Sequence, residues 1–529
     1  MNYDEIKTTP GDSSKGPSRH SRFMSHLASG AMINFSGTIA RTVCVYLFTF
    51  LLARMLTTGE LGEYFLVTTV VNYLALVATV GLGTGVVRYV ALYAGEKKLD
   101  MARNTVWLGL IIGLPISLIV MIGLILFAPV LVGPLFNDSP TAANGIRVFA
   151  IAIPFLVATQ IFISATQGMH RMQYQVYSRD IGEQISKLGL SGAVLAMGAG
   201  LIGVIGATLL SVIIAFLMAL IFALSVIPKR QESSESSITK HGRNLVIYSM
   251  PIAVASVFVA IDLRADILLL GLLGTSADVG LYGIAMKVAI FGGKINLAFA
   301  PVFAPVISDL WNQKKDLDLK KLFKTVSRWI FMLSFPVFLI LLLFNVQIMD
   351  LFGSEYIVAS NVLVVLVLCK IFSHSTGPTG LMILMSGRSK LDMLNVGLSL
   401  ITDVVLCILL IPQFGIMGAA IAKATSLTLL ELMRFLEVFV LMGLSAYNVG
   451  YLKPLFAGAI SATAVGIIAR FIIVEVNFIE LLILVALMGI TYLIMMLIFG
   501  VSGEDKETLK VLKDKLGWPG NARSCEGGS

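Results

Sequence analysis

Charge is what this chain has least of. Only 13% of its 529 residues are charged, against about a quarter in an ordinary soluble protein, and 57% are hydrophobic. So few charges cannot cover a water-facing surface, which excludes a soluble protein. Cysteine is also scarce. Cys44, Cys369, Cys407 and Cys525 show no CxxC or Cys/His spacing, so neither a zinc site nor a disulfide framework is indicated. The five histidines form no HExxH pair; no metal and no cofactor is expected. The first 30 residues lack an apolar core segment, so no cleaved signal peptide is expected.

What is present is a series of apolar runs, each near the 20 residues that cross a bilayer as a helix. Fourteen are read: 31–55, 63–83, 105–131, 146–167, 178–197, 200–226, 247–273, 279–307, 325–348, 358–384, 392–412, 415–440, 453–473 and 478–500. The expected fold class is an all-α polytopic membrane protein. Residues 1–30 read as a basic cytoplasmic tail, 227–246 as a Ser-rich cytoplasmic linker, and 501–529 as a second cytoplasmic tail.

Loop charges provide an independent check. With the N-terminus inside, 28 of the 39 Lys and Arg residues fall in inner segments, and only Arg54, Arg147 and Arg470 fall outside. The positive-inside rule therefore predicts a multi-pass protein of the cell membrane with both termini cytoplasmic. It also accounts for the formal charge of +8 without nucleic-acid binding. All outer loops are short, which argues against a membrane glycosyltransferase, ligase or polymerase, and no enzymatic activity is expected.

The chain repeats itself. "LLARMLTTGELGEYF" from Leu51 matches "LLGLLGTSADVGLYG" from Leu269, an offset of 218. "PLFNDS" (134–139) matches "DLFGSE" (350–355), and "GVIGA" (203–207) matches "GIMGA" (415–419), at offsets of 216 and 212. Three matches in order predict two six-helix repeats, 31–226 and 247–440, followed by two extra helices within 441–500. An even number of spans per repeat makes the copies parallel. In transporters of that design the binding site lies between the halves near the bilayer midplane.

"LLARMLTTGELGEYFLV" (51–67), "GLGTGVVRYVA" (81–91), "ADILLLGLLGTSADVGLYGIAMKVA" (265–289), "LFGSEY" (351–356) and "LLIPQFGIMGAAIA" (409–422) carry a resemblance. The chain resembles the polysaccharide-biosynthesis flippases of the multidrug/oligosaccharidyl-lipid/polysaccharide exporter superfamily over roughly 30–500. That resemblance implies six plus six plus two helices and transfer of a polyprenyl-diphosphate-linked oligosaccharide to the outer face by alternating access. It also implies membrane lipid and polysaccharide-assembly proteins as partners, and leaves H+ or Na+ open as a coupling ion.

Within the spans, each charge costs about 2.5–3.5 kcal/mol at the bilayer centre, so each needs a purpose. The stretch "VAIDLRADILLLG" (259–271) carries Asp262, Arg264 and Asp266. In a regular helix the two aspartates share a face and Arg264 points away from both. Lys287 and Lys294 share a face of the eighth span, Arg41 lies near the middle of the first, and Arg88 ends the second. These seven residues are the candidate cavity site, with the basic members suited to a diphosphate. Structural helix-to-helix pairing stays open for Asp262 and Asp266. Glu183 and Lys187 read as a local i,i+4 pair, and Glu431 and Arg434 as interfacial. Lys370, His374, Asp403 and Lys423 are further charged or polar groups within spans. The prolines inside spans, Pro301 and Pro305 among them, are candidate kinks. "GLGTG" (81–85) reads as a helix-end turn, and Asn137-Asp138-Ser139 is a glycosylation sequon followed by Pro140. A cation-coupled multidrug or metabolite exporter of the same superfamily is the alternative function, and it would favour a cavity dominated by acids.

Overall fold

The computed structural model describes residues 19–136, 139–227, 238–447, 449–472 and 478–500. Helix dominates because a lipid-buried backbone must satisfy its own N–H and C=O groups. The first half contains α1 (Arg19–Met55), α2 (Thr58–Ala78), α3 (Leu82–Gly95), α4 (Leu99–Phe136), α5 (Pro140–Ala150), α6 (Ala152–Gly168), α7 (Gln173–Gln175), α8 (Glu183–Ala196) and α9 (Gly200–Val226). A π-helical segment, Val176–Gly182, leads from α7 into α8. The second half contains α10 (Ile238–Leu273), α11 (Ser276–Asn312), α12 (Asp316–Leu343), α13 (Asn345–Asp350), α14 (Ser360–Ser375), α15 (Thr379–Met385), α16 (Ser389–Phe414) and α17 (Ile416–Met442). α18 (Leu452–Ile472) and α19 (Phe478–Phe499) follow and pack on α12, where the Tyr492 hydroxyl donates to the Met332 carbonyl at 2.9 Å.

Among the described residues, ten helical stretches are long and apolar enough to cross a membrane. Helix also covers the other four stretches read as spans, 178–197, 247–273, 279–307 and 415–440, and these hold most of the intramembrane charges. α1 starts at Arg19 and α10 at Ile238, inside the stretches read as tail and linker. A helix once nucleated gains a hydrogen bond per added residue and need not stop where its apolar run stops. The tail 501–529 and the first two residues of the sequon lie outside the described residues. Ser139 N-caps α5, its hydroxyl accepting from the Ala142 N–H at 3.3 Å.

The longest sequence match folds alike in both copies. Thr57 opens α2 and Thr275 opens α11, each with a full capping box, to Glu60 and Asp278 respectively. One turn on, Gly62 and Gly280 let the two helices touch backbone to backbone. A Cβ on Gly62 would overlap the Ser276 carbonyl oxygen, and one on Gly280 would overlap the Thr58 carbonyl oxygen. Gly81 ends the break between α2 and α3 at φ +65°, and a Cβ there would strike the backbone of α10 at Ser249. "GLGTG" is thus a helix-end turn that also lets α3 approach α10.

α10 is broken in mid-course. Arg264 has φ −147° and ψ 15°, outside the helical range. No proline causes this break. The carbonyls it frees are held from two sides: the Tyr73 hydroxyl of α2 donates to Ala260 O at 2.6 Å, and the Lys423 ammonium of α17 donates to Asp262 O. An unpartnered carbonyl at membrane depth costs several kcal/mol, so these side chains make the break tolerable.

Candidate functional site

The seven candidate residues do not form one cluster; they divide by charge. The basic ones other than Arg88 gather around α1, α2, α8, α10 and α11. α1 and the π–α8 segment run side by side in the same direction. Gly37 admits Val176 against the α1 backbone, Arg41 meets Asp180 four residues further on both strands of the pairing, and Phe48 meets Lys187 beyond that. The Arg41 guanidinium donates to Asp180 Oδ1 at 3.3 Å. Arg41 is 48% exposed, whereas Asp180 is buried. Sequence inspection found no acid within the first span and missed this partner, which lies 139 residues away on the polar start of the fifth.

Lys187 and Lys287 flank the same pair of helices without a carboxylate. The Lys187 ammonium sits 4.5 Å from the Phe48 ring centre, and that of Lys287 sits 4.1 Å from Phe65 while donating to Thr49 Oγ1 at 3.1 Å. Arg264, released from the helical path by the break, donates to Thr69 Oγ1 of α2 at 3.4 Å. Arg264 and Lys187 are close enough to act electrostatically on Lys287, and Arg41 on Lys294. Among the described residues Lys187, Arg264, Lys287 and Lys294 make no ion pair. Arg88 stands apart on α3, its guanidinium 4.1 Å from the centre of the Tyr248 ring on α10.

Asp262 and Asp266 join neither lysine of α11. They turn into the second half, around Lys423. The Lys423 ammonium donates to Asp403 Oδ2 of α16 at 3.1 Å, both side chains being buried, and Asp262 and Asp266 act on the same charge. The Tyr282 hydroxyl donates to Asp266 Oδ2 at 2.5 Å. One oxygen of Asp262 and one of Asp266 remain buried without a partner. Lys423 and Asp403 were visible as charges within spans, but only the fold joins them to the aspartates of α10. Glu431 and Arg434 do pair, at 3.3 Å, in a network completed by Asp392 and Thr379. His374 is buried edge-on to Phe338 and away from the basic group's hydrogen bonds.

The arrangement separates two chemistries. A partly exposed basic group between the halves can accept a multivalent anion, while a buried lysine encircled by three carboxylates can hold or exchange a small cation.

The chain is similar to known proteins in both sequence and fold. A family model described as "Polysaccharide biosynthesis protein" matches residues 27–311. The chain is 25% identical over 375 residues to the "Probable low-salt glycan biosynthesis flippase Agl15" of Haloferax volcanii, covering 71% of this chain and 75% of that protein. Its fold is similar to that of the lipid II flippase MurJ in an inward closed conformation, with a TM-score of 0.69, 16% identity, and coverage of 89% of this chain and 98% of the other. An inward-facing multidrug resistance transporter of the MATE family gives a TM-score of 0.61 at 16% identity, over 78% of this chain and 98% of that one.

Proposed function

The chain belongs to the polysaccharide biosynthesis protein family, and on that premise we propose that it flips a polyprenyl-diphosphate-linked oligosaccharide to the outer face of the cell membrane by alternating access. It is a multi-pass membrane protein of transporter fold, not an enzyme. In this reading all fourteen helical stretches cross the bilayer, the two six-helix halves are parallel repeats, and both termini are cytoplasmic. The headgroup occupies the space between the halves while the polyprenyl tail stays in lipid.

One observation supports this reading above the others: Arg41, Lys187, Arg264, Lys287 and Lys294 converge, and among the described residues only Arg41 has a carboxylate partner. Several basic groups that lack an ion-pair partner in a low-dielectric setting favour a dianionic or trianionic cargo. They disfavour the cationic cargo of a drug exporter. The acids that would serve such an exporter, Asp262, Asp266 and Asp403, are instead turned away around Lys423. Their buried, unpartnered oxygens make them the candidate place for a coupling H+ or Na+. Arg88 would meet cargo at the cytoplasmic mouth.

The test is a flipping assay in liposomes with a fluorescent lipid-linked oligosaccharide. Wild-type protein is expected to equilibrate the labelled lipid between leaflets, and Lys294→Ala is expected to be slow. Transport of a cationic dye with no lipid flipping would overturn the proposal in favour of the exporter.

A further inference from the structure

We propose that Asp180 is an internal competitor of the cargo: it holds Arg41 while the site is empty, surrenders it to the phosphate oxygens of the cargo, and reclaims it at release. This inference rests on the reading of the basic group as a diphosphate site. Asp180 does not itself contact cargo in this scheme; it is a positioning residue acting through Arg41.

The geometry has the asymmetry that such an exchange needs. The carboxylate is buried, and the side chain of the residue before it is tied to a neighbouring helix. The preceding Arg179 donates to Gln160 Oε1 of α6 at 2.9 Å, and Gln160 in turn contacts Ser164 at 3.4 Å. A π-helical turn, a form concentrated at functional sites, carries both Arg179 and Asp180. Arg41 is the looser partner. It is half exposed and makes one contact at 3.3 Å, longer than the roughly 2.7–2.9 Å of a good charge-assisted hydrogen bond. Its bidentate fork is therefore unused, with donors left over for a second anion.

Electrostatics sets the direction. Lys294 and Arg41 repel each other, and Asp180 offsets that repulsion in the empty protein. A diphosphate entering the same space brings more charge and more acceptor oxygens than one carboxylate, in the geometry a guanidinium matches best. Asp180 left beside the bound diphosphate then repels it. Glu183 is close enough to act on Arg179, Lys187, Arg41 and Asp180. The bound state is thus weakened from within, which favours release. Binding that is too tight lowers turnover in a transporter, because the cargo must leave on the far side.

The experiment uses the full-length protein in detergent, with geranyl diphosphate as the probe, and measures its dissociation constant and dissociation rate. Asp180→Asn removes the competitor and is expected to bind about twofold to fivefold tighter, the scale of one partly exposed charge contact, through a slower dissociation rate. Asp180→Glu extends the carboxylate toward Arg41 and is expected to bind more weakly than wild type. A merely structural aspartate would not give opposite signs for these two variants. In an Arg41→Ala background the gain from Asp180→Asn should vanish. Unchanged or weaker binding by Asp180→Asn overturns the exchange, as does a gain that persists without Arg41. Should Asp180→Asn not fold, equal or tighter binding by Asp180→Glu overturns it. Wild-type protein that does not bind the probe at all overturns the diphosphate site itself, and the exchange with it.

Discussion

Lys423 and Asp403 form an ion pair of 3.1 Å in which both side chains are buried, and the same ammonium also holds the Asp262 carbonyl at the break in α10. Removing one partner would strand the other charge. Lys423→Ala is expected to cost about 3–5 kcal/mol and to lower the yield of folded protein, with Asp403→Ala in the same chain restoring part of the loss. Thermal unfolding of the single and double variants in detergent checks this. Independent, additive effects would refute the coupling.

Arg41 should behave in the opposite way. Its pair with Asp180 is half exposed, so Arg41→Ala is expected to cost under about 1 kcal/mol of stability and to keep normal membrane levels. Transport should be abolished, and Arg41→Lys should recover part of it, because charge is kept but the fork is lost. A complementation or flipping assay read beside membrane blots decides the matter: full transport by Arg41→Ala removes the anion-site assignment.

Tyr73 supports the break in α10 with a single hydroxyl. Tyr73→Phe keeps the ring and leaves Ala260 O without this partner, a loss of about 1–3 kcal/mol. Faster amide exchange confined to residues near 260–266 is the expected signature. Unaltered exchange there would show that another group holds the carbonyl.

The orientation is open to chemical labelling. With native cysteines replaced, a cysteine at Ser139 should react with an impermeant maleimide in intact cells, and one at Ser234 only after permeabilisation. The reverse pattern would invert the topology inferred from the loop charges.

Much of the fold was legible because its signals are local. Apolar length located the helices, and the repeat match that pairs the Leu51 stretch with the Leu269 stretch holds Thr57 and Thr275, which the structure caps in the same way. The site was legible only as a set of charges that needed explaining. Its pairings were not, because Arg41 with Asp180 and Lys423 with Asp262 are contacts 139 and 161 residues apart. The break at Arg264 carries no proline or glycine to announce it. Regular helix geometry set Arg264 opposite the two aspartates, but where α10 breaks, the side chains go to different halves: Arg264 to Thr69, Asp266 to Tyr282.

The crossing of α2 and α11 has a reciprocal form. Gly62 faces Ser276, and Gly280 faces Thr58; adding the repeat offset of 218 to either residue of the first half yields its counterpart in the second. This is the pattern of an isologous dimer interface, in which patch i meets patch j and j meets i. The crossing therefore has the form of a subunit contact between like partners, retained within one covalent chain. Such a contact has two equivalent points of failure. Gly62→Ala and Gly280→Ala are each expected to lower stability by about 1–3 kcal/mol and by similar amounts. Gly206→Ala, where a Cβ meets nothing within 4 Å, should not lower it. Unequal losses at the two crossing glycines would mean that the halves have ceased to be interchangeable at this crossing.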